Sequence, residues 1–84
     1  IEAAADAGVL EGLPRALAYE AVAASVAGSA RLMLKSSKHP AALKDEICSP
    51  GGTTIEAVKT LEKGGFRAAV MDAVAACVKK ARAK

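Results

Sequence analysis

The stretch that decides the fold is PRALAYEAVAASVAGSARLMLK, Pro14 to Lys35. Its residues suit a helix, and Pro14 opens it at a first-turn position, where a missing N–H costs nothing. Its charges, Arg15, Glu20, Arg31 and Lys35, stand towards the two ends and leave Ala21 to Ala30 bare. A helix uncharged all round at its centre is a buried one. Ala21, Ser25 and Gly28 are small enough to let neighbouring backbones come close. The rest of the chain has little to bury this helix with. It has 84 residues, with one Phe, one Tyr and no Trp. A domain this small buries only about 60 % of its unfolded surface. Much of the apolar surface is therefore expected to be shared with a second copy, in an interleaved two-fold dimer.

Working outward, residues 1–11 read as an alanine-rich helical end that stops at Gly12, a suitable residue for the position after a helix. On the other side SSKHP, Ser36 to Pro40, breaks the long helix, and Pro40 starts a short one through about Ile47. CSPGGTTIE, Cys48 to Glu56, is the next break. Thr53 there is expected to be an N-cap with Glu56 three residues later, a capping box. That helix ends at Gly64-Gly65, and a last one carries Phe66, Val70, Val74 and Val78 as an apolar stripe. The reading is four or five helices, no strand and no internal repeat: an all-α chain forming one domain, 1–84.

Several function classes fall away on composition. Net charge is +3, with both signs interspersed except in the tail KKARAK, Lys79 to Lys84. Lysines there suit a helix C-terminus, and no aromatics interleave them as a nucleic-acid surface would require. Cys48 and Cys77 have no metal-ligand spacing, and with a single histidine, His39, a zinc site lacks ligands. Reduced thiols, no Cys48–Cys77 disulfide and a reducing, cytoplasmic compartment are expected. Cys48, beside a helix start, reads as a small buried residue or as an activated thiol. His39, next to Pro40, reads as structural. The longest uncharged run, ten residues, cannot span a bilayer as a helix. No signal-peptide pattern is seen. The chain begins at Ile1 in what reads as mid-helix, so a piece of something longer is expected.

The loop SPGGTT, Ser49 to Thr54, is richer than a plain helix–helix turn needs. Pro50 stiffens it, and Gly51 and Gly52 let backbone N–H groups meet a ligand directly. Thr53 and Thr54 begin a helix whose N-terminus offers unpaired donors and partial positive charge. On these residues alone two readings stand: a capped turn that binds nothing, and a small site for a carboxylate or phosphate. It lacks the Gly-Lys-Ser/Thr ending of a P-loop, and no strand precedes it as in a dinucleotide fingerprint.

The run HPAALKDEICSPGGTTIEAVKTLEKGGFRAAVMDAV, His39 to Val74, resembles the C-terminal region of the pyrroline-5-carboxylate reductase family, most closely its bacterial members. The upstream ADAGVLEGLPRALAYEAVAASVAGSARLML, Ala5 to Leu34, is similar to the helix pair that carries the family's GLPR. The resemblance implies an all-α helical bundle, an interleaved dimerisation domain of the 6-phosphogluconate dehydrogenase C-terminal-like type. It implies a homodimer that can assemble further, and an N-terminal Rossmann domain, outside this sequence, that binds NADH or NADPH. The implied reaction is reduction of 1-pyrroline-5-carboxylate to L-proline, in the cytoplasm, with no metal, nucleic acid or membrane. The implied substrate residues are Ser49, Gly51, Gly52, Thr53 and Thr54. The amides of Thr53 and Thr54 and the Thr54 hydroxyl would hold the carboxylate. Glu46 stands where the family contacts the cofactor, often through Asn. No catalytic acid is implied among these residues, and this chain alone is expected to be inactive. The rival expectation is a non-catalytic helical association module of the same fold. A Gly-rich fingerprint after a first strand upstream would favour the enzyme.

Overall fold

The computed structural model describes residues 1–83, so Lys84 of the basic tail lies outside the described residues. These form five helices and no strand: α1 (Glu2–Leu10), α2 (Arg15–Ser36), α3 (Pro40–Ile47), α4 (Thr53–Lys63) and α5 (Phe66–Arg82). None is long and apolar enough to cross a membrane. The chain divides into two units, Ile1–Leu43 and a second beginning at Lys44, with the division inside α3.

In the first unit α1 ends where the sequence places its stop. Gly12 takes φ +106°, donates to the Val9 carbonyl at 2.9 Å, and the Leu13 N–H reaches back to Gly8 at 3.0 Å. This is the Schellman arrangement, which satisfies carbonyls that the helix end would otherwise orphan. Leu13 folds over Gly8 in the same step: a Cβ on Gly8 would stand 3.3 Å from its Cδ1 and 3.5 Å from Ala18 Cβ. The chain can then return as α2, and the two buried side chains, Ala5 and Ala18, lie one on each helix. Arg15 ties α2 to α1 through a hydrogen-bonded ion pair with Asp6 and lies 5.9 Å from the centre of the Tyr19 ring. That hydrogen bond raises the Arg15 pKa above its ordinary value against an opposing desolvation effect. Pro14 is the N-cap of α2 rather than its first helical residue, with ψ 142° and its carbonyl accepting from Ala18. The difference is one residue; the proline still stands where no donor is lost.

α2 closes on Ser37 in a left-handed conformation, and Ser36 Oγ accepts from the Lys38 amide at 3.2 Å. His39 then starts α3 as its cap. Nδ1 accepts from the Ala41 N–H at 3.0 Å, and its carbonyl accepts from Ala42 and Leu43. The ring does the work that Ser or Asp does at other helix starts, which gives the structural reading of His39 its physical content.

The second unit is built on α4 and α5, joined through Gly64 and Gly65, whose amides donate to Thr60 and Glu62 at 3.1 Å each. Arg67 Nε binds Glu62 Oε1 at 2.9 Å across this junction. Beside it, Val58, Leu61, Phe66, Val70 and Met71 line an apolar cleft of about 440 Å³. None of the described side chains of this unit is buried. The stripe Phe66, Val70, Val74 and Val78 faces outward, with Val74 59 % exposed. The whole chain exposes 6966 Å², about 1,350 Å² more than two compact bodies of half its mass would expose together.

Candidate anion-binding turn

α3 runs into the loop through Cys48, whose N–H donates to the Lys44 carbonyl at 3.0 Å. Ser49, Pro50, Gly51 and Gly52 then form a turn closed by the Gly52 N–H on the Ser49 carbonyl at 3.0 Å. Pro50 presets the first corner, and Gly51 at the second has φ +70°. This is a type II turn, whose third position demands glycine. Gly52 is favoured for a different reason: a Cβ there would lie 2.5 Å from Ser49 Oγ and 3.2 Å from Ser49 O, so both would have to give way. Both glycines are thus set by the turn's own geometry.

Gly52, extended at ψ 176°, is the N-cap of α4, and no side chain makes a cap hydrogen bond. This corrects the capping-box expectation. Thr53 is the first residue inside the helix, not the cap, and Glu56 falls one position too far along to reach back. Glycine supplies the extended cap conformation without a side chain. Thr53, Thr54 and Ile55 therefore present N–H groups that have no intrahelical acceptor and no side-chain cap. They sit at the positive end of an 11-residue helix. The hydroxyls of Thr53 and Thr54 lie on the same exposed first turn. Such a mouth can accept a carboxylate by main-chain donors.

The structure brings five of the six sequence-derived residues, Ser49, Gly51, Gly52, Thr53 and Thr54, into one turn and helix start. Glu46 stands apart, exposed in the last turn of α3. Cys48 is half-buried beside the turn, Cys77 is exposed on α5, and both thiols are free. Among the described residues no cluster of three metal-binding side chains occurs. The sequence did not reveal the Ser49–Gly52 contact or the cleft. The i, i+4 stripe names Phe66 and Val70 but passes over Leu61 and Met71, which join them only once α4 packs on α5.

A family model described as pyrroline-5-carboxylate reductase dimerisation matches residues 1–84. The chain belongs to this family. It is 60 % identical over 80 residues to a pyrroline-5-carboxylate reductase of Escherichia coli strain K12, covering 95 % of this chain and 30 % of that protein. Against the Arabidopsis thaliana reductase the identity is 54 % over 82 residues, with 98 % and 30 % covered. The fold matches the 1-pyrroline-5-carboxylate reductase of Streptococcus pyogenes with a TM-score of 0.95 at 43 % identity, covering 99 % of this chain and 32 % of that one. It matches the Plasmodium falciparum pyrroline carboxylate reductase, crystallised with NADP bound, with a TM-score of 0.90 at 42 % identity. That match covers 94 % of this chain and 30 % of that one. The chain therefore spans about 30 % of the length of these relatives.

Proposed function

We propose that this chain is the self-associating part of a pyrroline-5-carboxylate reductase and holds the substrate's carboxylate. The reaction is reduction of 1-pyrroline-5-carboxylate to L-proline with NADH or NADPH in the cytoplasm. The observation that carries this reading is the uncapped start of α4. A cyclic imino acid has one carboxylate handle, on the carbon bonded to the imine nitrogen and not on the imine carbon that is reduced. Main-chain donors at Thr53 and Thr54, with the Thr54 hydroxyl, suit that handle and leave the ring free to be presented. Ser49 lines the approach, and Gly51 and Gly52 hold the turn that aims the donors.

The nicotinamide, when bound, supplies a hydride to the imine carbon. Few described residues fit a dinucleotide. A strand-to-helix glycine turn is absent among them, and Glu46, a carboxylate, would repel phosphates and suits a hydrogen-bond donor of the cofactor, such as a sugar hydroxyl. This chain's contribution is therefore orientation of the substrate. Self-association is supported by the family, by the exposed stripe of α5 and by the excess exposed area. The homodimer can serve as the unit of a larger assembly.

The test is a spectrophotometric assay of the full-length protein for oxidation of NADH or NADPH dependent on 1-pyrroline-5-carboxylate, with proline as product. Turnover by the full-length protein, and none by residues 1–84 alone, is expected. A full-length protein that binds cofactor yet leaves the imino acid unchanged would overturn the proposal.

A further inference from the structure

We propose that the start of α3 is a proton-released joint: its cap is made by the neutral ring of His39 and is lost when that ring takes up a proton. The bond concerned runs from the Ala41 N–H to His39 Nδ1, at 3.0 Å. It completes the capping of a helix that begins Pro40-Ala41-Ala42-Leu43. Pro40 has no N–H to satisfy. Ala42 and Leu43 donate to the His39 carbonyl at 2.9 and 3.2 Å. Ala41 is left, and the ring serves it. An imidazole nitrogen accepts a hydrogen bond only while it carries no hydrogen of its own, so the capping form is the neutral ring with its hydrogen on Nε2. In imidazolium both nitrogens are donors, and Nδ1–H would face the Ala41 N–H. The same proton places a positive charge at the end of the helix that already carries partial positive charge. Loss of the acceptor and repulsion by the dipole therefore act in one direction.

Histidine changes charge between about pH 5 and 8, and His39 is exposed, so a proton reaches it from solvent. The element facing the start of α3 is α2, which meets Pro40 and Leu43 with Ser29, Ala30 and Met33 around a cavity of about 300 Å³. None of these five side chains titrates. The charges nearest to His39 in sequence are the cations Lys35, Lys38 and Lys44, and beyond them Asp45 and Glu46. Lys44 pairs with Asp45 at 3.1 Å. The effect is large for the size of the element. α3 has 8 residues, and helices this short are marginal on their own, so the cap is a sizeable share of what holds its first turn. The same helix leads into the Ser49–Gly52 turn, with the Cys48 N–H on the Lys44 carbonyl and the Ser49 N–H on that of Ile47. Acidification thus loosens the segment that leads to the turn, whereas a Ser or Asn cap at this position would hold it throughout.

The test is hydrogen exchange of the full-length protein, read on peptides spanning residues 40–48 and referred at each pH to the rate of an unstructured chain. Loss of the cap together with the added charge should lower protection there about 5–30-fold between about pH 8 and pH 5. His39→Asn, which accepts at either pH, should stay protected throughout, and His39→Ala should be poorly protected at both. Peptides from α2 should keep their protection in all three proteins. Parallel pH curves for the wild type and His39→Asn would overturn the proposal, because the charge on the ring would then be without effect. So would a His39→Ala protein as well protected as the wild type at pH 8, which would show that the ring does not cap. A loss that spreads equally over α2 would mark general acid unfolding and overturn the local reading.

Discussion

Gly51 and Gly52 are neighbours of the same type, yet they should fail on substitution for separable reasons. Gly51 has φ +70° and open space around its missing Cβ. Gly51→Ala therefore meets only the backbone penalty of a left-handed residue, about 1–2 kcal/mol, less about 0.4–1 kcal/mol of unfolded-state entropy. Gly51→Asn should cost less than Gly51→Ala, because asparagine tolerates this region. Gly52 has φ −80°, open to any residue. Its obstacle is Ser49 Oγ at 2.5 Å and Ser49 O at 3.2 Å. Gly52→Ala must push the hydroxyl off its rotamer, about 0.5–1.5 kcal/mol, and shift a carbonyl, for an overpacking total of about 1–3 kcal/mol. Ser49→Ala removes the hydroxyl, so it should relieve Gly52→Ala by about 1 kcal/mol and leave Gly51→Ala unchanged. Urea unfolding of the double-mutant cycle, at one fixed protein concentration, measures this coupling. Equal penalties for Gly52→Ala with and without the Ser49 hydroxyl would refute the assignment of Gly52 to close approach.

Thr54→Ala in the full-length enzyme should remove a hydrogen bond to a charged group, about 1.5–3 kcal/mol. It should appear mainly as a raised KM for the imino acid in steady-state kinetics, with cofactor KM unmoved. At Gly28 an added Cβ would find open space within 4 Å beyond its own helix backbone, so Gly28→Leu places its side chain where a second copy could approach. It should weaken the dimer by about 1–3 kcal/mol if a second copy approaches there, read as a rise in dissociation constant by sedimentation equilibrium. His39→Ala should cost about 1 kcal/mol as a lost cap, measured by urea unfolding, and His39→Asn should recover most of it. Glu62→Gln should cost under about 1 kcal/mol and less in high salt, because the Arg67–Glu62 pair is exposed.

The helices were legible because glycine and proline punctuate them. Gly12, Pro14, Pro40 and Gly64-Gly65 each mark an end through backbone restrictions that act locally. The position of the α4 cap was not legible to the residue. Threonine and glycine both suit an N-cap, and only the turn closed by Gly52 on Ser49 decides between them. The ring of His39 as a cap depends on a side-chain rotamer, which spacing does not carry. The grouping of Ser49 to Thr54 was legible because the residues are consecutive. The cleft of Leu61 and Met71 was not, because it needs the packing of α4 on α5. That the chain's own core would be marginal was legible from its small side chains, and among the described residues Ala5 and Ala18 are the buried ones.

The central claim is that the start of α4 holds a carboxylate by main-chain donors. A crystal structure of the full-length enzyme with L-proline tests it most directly. The account expects the proline carboxylate at the mouth of α4, its oxygens about 2.7–3.2 Å from the amide nitrogens of Thr53 and Thr54, with the Thr54 hydroxyl donating to one of them. A carboxylate held elsewhere by side-chain cations, with the Thr53 and Thr54 amides facing water, would contradict it.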